Sequence, residues 1–384
     1  MIRIGIVGLG KMGLSHLAMF KAHPDVDLAG VCDSSGYVLD VLGKYTGVPT
    51  YKDYGEMIRR TDLDAVVIAT PSHLHAAMVR TALEAGLHVF CEKPFCLNDA
   101  DGEALTKLAA DRGLVTQVGY HNRYVGSFGE VKRLLELGAI GEVTHGLAEA
   151  YGPVVLKPKG GTWRSKKSAG GGCLYDYAAH PIDLVTWYLG APDGVSGSRL
   201  NSIFSAEIDD EVTTSIQYPG DSTVQVSVNW SDESQRKMTT RLTLWGTTGR
   251  IFVDRQEIHV YLRDTATVPE GYRVGWNVKY TTELTEPVWY YLRGEEYSAQ
   301  VADFVTRVAE GRQEGTNTFA TAARTDKVLS LIARDAASPG GLSFDDGAPE
   351  RDGTPLPGRA PAGSAEKRPL WRRRRPLVGQ GGGR

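Results

Sequence analysis

The sequence of 384 residues predicts an N-terminal α/β domain with a doubly wound parallel sheet and a C-terminal α+β domain with a large, mainly antiparallel sheet. Residues 1 to about 120 alternate short apolar runs with segments that have apolar residues every three to four positions, which is the rhythm of βαβ units. From about residue 141, longer β-type runs follow one another across short turns, which is typical of antiparallel strands. The predicted boundaries are 1–122, 123–344 and a tail of 345–384.

Each element of the N-terminal domain is assigned from its own pattern. The buried apolar runs predict strands at 2–7, 26–32, 65–69, 89–91 and 114–118. Apolar residues at helical spacing predict helices at 12–21, 75–85 and 99–110. Strands that alternate with helices in this way favour a parallel sheet covered on both faces.

The second domain is predicted from runs of β-type residues separated by turn pairs. Strands are expected at 142–151, 211–218, 223–230, 239–245 and 249–253. Helices are expected at 182–189, 298–310 and 320–334, and the first of these should cover one face of the sheet. We expect the other face to form the interface of a homodimer or homotetramer.

Composition limits the function classes. The formal net charge is −3, no apolar stretch approaches the ~18 residues of a membrane span, and the body has no basic face for nucleic acid. Four scattered cysteines indicate neither a disulfide framework nor a metal site. We therefore expect a cytoplasmic protein without a metal, a membrane anchor or a nucleic-acid partner. The Pro-, Gly- and Arg-rich tail is expected to be disordered.

A Gly-x-Gly-x-x-Gly motif directly follows the first predicted strand. This motif is the fingerprint of a dinucleotide-binding Rossmann domain, because its glycines allow a tight turn, close approach of a pyrophosphate and close helix packing. Asp33 ends the second strand, where its carboxylate can bind ribose hydroxyls and repel a 2′-phosphate, so NAD is predicted over NADP. The motif and its neighbours contribute Gly8, Gly10, Lys11, Met12, Gly13, Asp33 and Ser34 to the predicted cofactor site, and Thr70 and Pro71 join them at the carboxyl edge of the sheet.

Four ordered motifs together resemble the Gfo/Idh/MocA family, which includes glucose-fructose oxidoreductase and inositol dehydrogenase. The resemblance spans residues 1 to about 335. The motifs are the glycine fingerprint, Ala69-Thr70-Pro71 followed by His75, Glu92-Lys93-Pro94, and a triple glycine at 170–172 followed by Asp176, His180 and Asp183.

The resemblance implies an NAD(P)-dependent oxidoreductase that acts on a secondary hydroxyl or ketone of a sugar, amino sugar or cyclitol. It implies that Lys93 contacts the reacting hydroxyl and the cofactor, that Asp176 holds substrate and that His180 exchanges the proton. Histidine suits this task because its ordinary pKa lies near neutral pH. The resemblance also adds His75, Glu92 and Lys93 to the cofactor set and places the segment Tyr120-His121-Asn122-Arg123 at the substrate cleft. We expect Asn122 and Arg123 to hydrogen-bond substrate oxygens and Trp163 to pack against a sugar face.

Several alternatives remain open at this point. Asp176 and Asp183 could cap a helix, and His180 could be a satisfied core histidine. Pro181 fits a first helical turn, so we expect the helix to begin near His180. Lys166 and Lys167 are interpreted as solvated loop charges, with binding of an anionic substrate as the alternative. The rival functions are an NAD-assisted glycosidase and a non-catalytic dinucleotide sensor.

Overall fold

The computed structural model describes residues 1–154 and 163–338. The predicted disordered tail, 345–384, and the side chain of Trp163 lie outside the described residues. Within the described ranges, no helix is both long enough and apolar enough to cross a bilayer.

The first sheet has six parallel strands in the order β3-β2-β1-β4-β5-β6. The prediction of a doubly wound parallel sheet is confirmed, and all five predicted strands occur. The two-residue β3 is too short to have been predicted from sequence. The strands are β1 (Ile2–Val7), β2 (Val26–Cys32), β3 (Thr50–Tyr51), β4 (Ala65–Ile68), β5 (His88–Cys91) and β6 (Thr116–Val118), with α1 (Lys11–Ala22), α2 (Gly36–Thr46), α3 (Tyr54–Arg60), α4 (His75–Glu84) and α5 (Asp99–Asp111) between them.

The second sheet has eight strands in the order β14-β13-β12-β11-β7-β10-β9-β8, and only the β7–β10 pair is parallel. The prediction of a mainly antiparallel sheet is therefore confirmed. The strands are β7 (Val143–Tyr151), β8 (Gly194–Asn201), β9 (Glu211–Tyr218), β10 (Ser222–Asn229), β11 (Arg241–Gly246), β12 (Gly249–Asp254), β13 (Glu257–Leu262) and β14 (Gly275–Tyr280). The helices of this part are α6 (Gly126–Glu136), α7 (Ala179–Leu189), α8 (Thr281–Leu284), α9 (Glu295–Glu310) and α10 (Phe319–Ala337).

The late helices contribute to the cores of both sheets. Helices α7 and α10 pack against the inner face of the second sheet. Helix α9 returns to the first sheet, where Phe304 meets Phe20 and Phe90 edge to face. The guanidinium of Arg307, on α9, is fully buried and donates to the carbonyl of Thr116 on the edge strand β6, 3.1 Å away. A simple division of the chain at residue 122 therefore does not separate the two cores.

A buried ion pair joins the turn after β6 to α7. Arg123 Nε lies 2.9 Å from Asp183 Oδ2, Arg123 Nη2 lies 2.6 Å from Asp183 Oδ1, and both side chains are 1% exposed. Arg123 Nη1 donates to the carbonyl of Thr316 at 2.7 Å, and Thr325 Oγ1 donates to Asp183 at 3.1 Å. These contacts correct the prediction that Arg123 binds substrate, because its guanidinium is committed to the core.

Replacing Arg123 with Met should lower the free energy of unfolding by about 3–5 kcal/mol, because Asp183 would be left as an unpaired buried charge. Chemical denaturation followed by circular dichroism measures the change. Arg60→Met is the matched control: it breaks an exposed pair with Glu56 on α3, and the expected cost is below about 1 kcal/mol. Equal losses in the two variants would contradict the structural role of the buried pair.

Candidate active site

A cleft of about 1050 Å³ lies where the carboxyl edge of the first sheet faces the second sheet. Met12 of the glycine motif lines it together with Lys93, which follows β5, and Asp176 and His180, which lie before and at the start of α7. The structure thus brings the three residues predicted to be catalytic into one cavity with the predicted cofactor turn. Ligands of open α/β sheets bind at this edge.

The glycine turn is shaped by three different constraints. Gly8 has a φ of +86°, and a Cβ there would lie 2.7 Å from the backbone of Ala69. A Cβ on Gly13 would lie 1.7 Å from the carbonyl oxygen of Gly8. A Cβ on Gly10 would meet no atom within 4 Å, and Gly10 caps α1 without a side-chain hydrogen bond. The N-terminus of α1 is therefore open on the Cβ side of Gly10, which fits the approach of a pyrophosphate.

The acidic residue expected at the ribose end is held by backbone groups. Asp33 Oδ2 accepts from Leu9 N at 2.6 Å, and Oδ1 accepts from Ser35 N at 2.7 Å. Each carboxylate oxygen keeps a further lone pair for a ribose hydroxyl. Ser34 is exposed next to Asp33. The structure also places a lysine near Asp33 and Ser34, which the sequence did not suggest. Lys52 Nζ lies 3.5 Å from the position that a Cβ on Gly36, the first residue of α2, would occupy.

Thr70 and His75 have different surroundings. The backbone N of Thr70 would lie 2.8 Å from a Cβ on Gly8, so Thr70 lies against the glycine turn and Pro71 follows it there. His75 is buried; its Nδ1 lies 2.8 Å from the carbonyl of Pro94, and its Nε2 lies 3.0 Å from the carbonyl of Thr70. Burial lowers the pKa of His75, although these two carbonyls oppose the shift. His75 therefore braces two loops, and its contact with the cofactor stays a prediction.

Glu92 is fixed by contacts on three sides. Its Oε1 lies 2.7 Å from His16 Nε2 on α1, and its Oε2 accepts from Lys93 N at 3.1 Å. A Cβ on Gly119 would lie 2.7 Å from the same Oε2. Burial by itself raises the pKa of Glu92, but the hydrogen bond from His16 and the charge of Lys93 outweigh it and lower the pKa. Glu92 is therefore ionised and holds the backbone of Lys93 in place, and part of its side chain lines the cleft.

Lys93 and Asp176 form the polar centre of the cleft. Lys93 Nζ lies 3.0 Å from Asp176 Oδ1 and 2.7 Å from the Asp176 carbonyl, and the side chains are 13% and 6% exposed. Arg164 Nε lies 3.1 Å from Asp176 Oδ2. The Lys93–Pro94 peptide bond is cis. One carboxylate therefore faces two cations, which leaves local positive charge in the cavity.

A single π-helical turn precedes the helix that carries His180. Residues Leu174–Ala178 form one π-helical turn that runs directly into α7, so His180 and Pro181 lie one turn inside. Pro181 has no backbone N–H, so it cannot donate a hydrogen bond to a carbonyl of the preceding π turn. The Asp176 carbonyl, which lies five residues earlier, accepts its hydrogen bond from Lys93 instead. The π turn accommodates Pro181, and α7 itself begins at Ala179, which confirms the prediction that the helix begins near His180.

His180 is buried against two rings. Its ring centroid lies 5.2 Å from that of His121 and 6.5 Å from that of Tyr120, both edge to face. Among the described residues, His180 Nδ1 has no hydrogen-bond partner. Burial lowers the pKa of His180 well below its usual range, and the charges of Lys93, Arg255 and Arg164 lower it further. His180 is therefore a neutral imidazole at neutral pH, able to accept a proton.

The turn after β6 presents His121 to the cleft, and not the residues predicted there. Tyr120 and Asn122 are each 1% exposed and do not line the cavity, which corrects their predicted contact with substrate. His121 Nε2 lies 3.1 Å from Arg255 Nη1, and its ring stacks on Tyr297 at 4.5 Å. Arg255 Nη1 also donates to Asn122 Oδ1 at 2.9 Å. His121 belongs to the segment 120–123 that resembles the family's cleft segment, whereas no sequence motif marks Arg255 or Tyr297.

Comparisons with known proteins agree with this architecture. A family model described as an oxidoreductase family with an NAD-binding Rossmann fold matches residues 2–120, and the Gfo/Idh/MocA C-terminal domain matches residues 128–252. A relative from Amycolatopsis mediterranei, named as a putative UDP-kanosamine synthase oxidoreductase subunit, is 34% identical over 49% of this chain and 52% of its own length. The chain thus spans about half the length of the first such relatives. The myo-inositol 2-dehydrogenase of Thermotoga maritima is 27% identical over 68% of this chain and 78% of its own.

The solved structures support the fold. A levoglucosan dehydrogenase in complex with NADH superposes with a TM-score of 0.77 at 24% identity, covering 88% of this chain and 97% of that one. The predicted NAD-binding domain and the predicted resemblance are both confirmed by the family matches. This chain is a member of the Gfo/Idh/MocA family of oxidoreductases.

Proposed function

We propose that this protein is an NAD-dependent oxidoreductase that moves hydride between the nicotinamide and a secondary hydroxyl or ketone of a sugar, amino sugar or cyclitol. The observation that carries the proposal is the single cleft lined by Met12 of the glycine turn, Lys93 and His180. A cofactor turn, a fixed cation and a neutral base are the three parts that this chemistry requires. The names of relatives that act on inositol and on sugars support the substrate class.

Lys93 is proposed to bind the reacting oxygen. An ammonium group has three N–H donors. Asp176 engages Lys93 Nζ through one carboxylate oxygen and through its carbonyl, so one donor remains among the described contacts. That donor can stabilise negative charge that develops on the substrate oxygen. Asp176 fixes the direction of this donor and balances part of its charge.

His180 is proposed to take the hydroxyl proton in oxidation and to return it in reduction. Its pKa is lowered by burial first and then by Lys93 and the two arginines, so the acceptor form dominates at neutral pH. The buried ring position also keeps bulk water away from the proton transfer. Lys93 thus binds the reacting oxygen, and His180 transfers its proton.

The cofactor is proposed to lie along the glycine turn. Gly8, Gly10, Lys11, Met12 and Gly13 would hold its pyrophosphate, and Asp33 and Ser34 its adenosine ribose, with Thr70 and Pro71 beside the turn. When bound, NAD supplies the hydride acceptor or donor. Asp33 favours NAD, and Lys52 keeps NADP as the second choice. We also propose a cytoplasmic location, since all four cysteines are unpaired and buried.

Replacing Lys93 with Met or His180 with Ala should each lower kcat by at least ~10²-fold, because each removes a group that acts on the reacting oxygen or its proton. A panel of sugars and cyclitols, followed by net formation of NADH at 340 nm, provides the substrate and the assay. NADH fluorescence titration should give an unchanged Kd in both variants.

Lys107→Met is the control for the lysine variant, because Lys107 is exposed on α5 and pairs only with Asp111 among the described residues. Its kcat should equal that of the unmodified protein. Near-normal turnover in the Lys93 and His180 variants on the best substrate would overturn the assignment. Sugar cleavage without net NADH formation would instead identify an NAD-assisted glycosidase.

Replacing Gly10 with Ala should weaken cofactor binding without weakening the fold. The new Cβ would meet no protein atom within 4 Å, so the melting temperature of the cofactor-free protein should stay the same. The same methyl group would occupy the space in which the pyrophosphate approaches the backbone, so the Kd for NADH should rise at least ~10-fold. Fluorescence titration and differential scanning fluorimetry measure the two quantities. An unchanged Kd would contradict the proposed position of the cofactor.

We further propose that the outer face of the second sheet forms a homodimer or homotetramer interface. Tyr261, Trp276, Val278 and Tyr280 alternate along β13 and β14 on this face and are 39–54% exposed. Trp245 and His145 extend the same surface across β11 and β7, with their rings stacked at 4.5 Å. An aromatic surface of this extent is rare on a monomer.

Replacing Trp276 with Glu should shift the oligomer to monomer in size-exclusion chromatography with light scattering, because a charge would be buried at the centre of a two-fold contact. Tyr37→Glu is the control: Tyr37 is 79% exposed on α2, and the mass should not change. A protein that is monomeric before substitution would contradict the proposed interface.

A further inference from the structure

We propose that the substrate of this cleft carries a phosphate group, as a sugar phosphate or a nucleoside-diphosphate sugar, and that Arg236, Lys237 and Thr240 bind it. This inference rests on the proposed function and specifies its substrate class. The three residues belong to one segment, 231–240, which connects β10 to β11 and forms a wall of the cleft.

The lining of the cleft carries an excess of positive charge. Lysine and arginine side chains outnumber aspartate and glutamate by seven to five. Four of the carboxylates have polar partners of their own: Glu92 with His16, Asp176 with Lys93 and Arg164, Glu296 with Arg255, and Asp254 with two backbone N–H groups. Most of the acidic side chains in the cleft are thus already paired, so they do not neutralise the remaining lysine and arginine side chains.

Arg236 and Lys237 carry this excess on the substrate side. Both are exposed on the cleft wall, and neither forms an ion pair with any residue in the ranges 1–154 and 163–338. Arg293 lies on the cofactor side, since its Nη1 is 3.4 Å from Ser15 Oγ on α1. The glycine turn already accounts for the pyrophosphate of the cofactor. Two adjacent cations are therefore available for a second anion.

Thr240 supplies an independent observation. It lines the same wall and is 1% exposed, and its hydroxyl has no hydrogen-bond partner among the described residues. A buried hydroxyl is normally paired, so the Thr240 hydroxyl is available to a ligand in the cleft. Thr240 directly precedes Arg241, the first residue of β11, and both residues line the cleft.

Phosphate fits these groups better than a carboxylate does. A phosphate monoester or the diphosphate of a nucleoside-diphosphate sugar carries about two negative charges at neutral pH, which matches the two available cations. Its tetrahedral oxygens can accept from a guanidinium, an ammonium and a hydroxyl at the same time. A cleft of about 1050 Å³ also exceeds the space that a single sugar ring requires.

Isothermal titration calorimetry on NADH-saturated protein tests the inference without turnover, so a wrong assignment of the reaction would leave the result intact. The probes are glucose 1-phosphate, uridine diphosphate and glucuronate. At least one phosphate probe should bind with a Kd that is at least ~10-fold lower than that of glucuronate, and this Kd should rise with ionic strength. Tighter binding of the diphosphate identifies a nucleotide sugar, and tighter binding of the monophosphate identifies a sugar phosphate.

Two double variants with the same change of charge test whether phosphate binding depends on these residues or only on the net charge of the protein. Arg236→Gln with Lys237→Gln should raise the Kd of the phosphate probe at least ~10-fold, whereas Arg59→Gln with Arg60→Gln, the same charge change on α3, should leave it unchanged. Thr240→Val should raise the Kd several-fold and keep the melting temperature, since no paired hydroxyl is lost. The inference is overturned if neither phosphate probe binds, if glucuronate binds as tightly, or if the two double variants behave alike.

Discussion

The contact between Lys93 and Asp176 is the interaction on which the site depends. It joins the end of β5 in the first sheet to the turn before α7 beneath the second sheet, across 83 positions of sequence. Both groups are largely withdrawn from water, so each would pay a desolvation penalty without the other. Arg164 shares the same carboxylate, and Glu92 lies beneath the backbone of Lys93. The geometry of the cleft is therefore set by a charge pair that neither sheet could hold alone.

The backbone around this pair is arranged by a local conflict. Pro181 would weaken an ordinary α-helix because it lacks an N–H and its ring crowds the preceding turn. The chain resolves the conflict with a π turn, and π turns are frequent at functional sites. The Asp176 carbonyl then becomes an acceptor for Lys93, so the lysine is held by two oxygens of one residue. A rigid donor costs less reorganisation during reaction than a mobile one does.

The sequence predicted those parts of the fold and site that have a strong local pattern. The buried strands of the first sheet were predictable because they are continuous apolar runs, and the glycine turn because its spacing has a backbone cause. Tyr120, Asn122 and Arg123 were assigned to the cleft because they follow a strand and belong to a segment that resembles the family's cleft segment. Position along the chain does not give side-chain direction in a tight turn, and within residues 120–123 His121 is the one that lines the cavity. Arg255 and Tyr297 come from distant elements that only the tertiary structure brings to the site.

The charges around His180 bear on both directions of the proposed reaction. Lys93, Arg255 and Arg164 disfavour the imidazolium form of His180, and the same positive charge favours an alkoxide on a bound substrate. In oxidation, the cations therefore help the hydroxyl to release its proton, although they weaken the group that receives it. In reduction, a protonated His180 would be a strong acid next to a developing alkoxide, and the proton transfer would be downhill. In the shared transition state the cations therefore favour the negative charge on the oxygen and disfavour the positive charge on His180, and the concentrations of substrate and cofactor decide the direction.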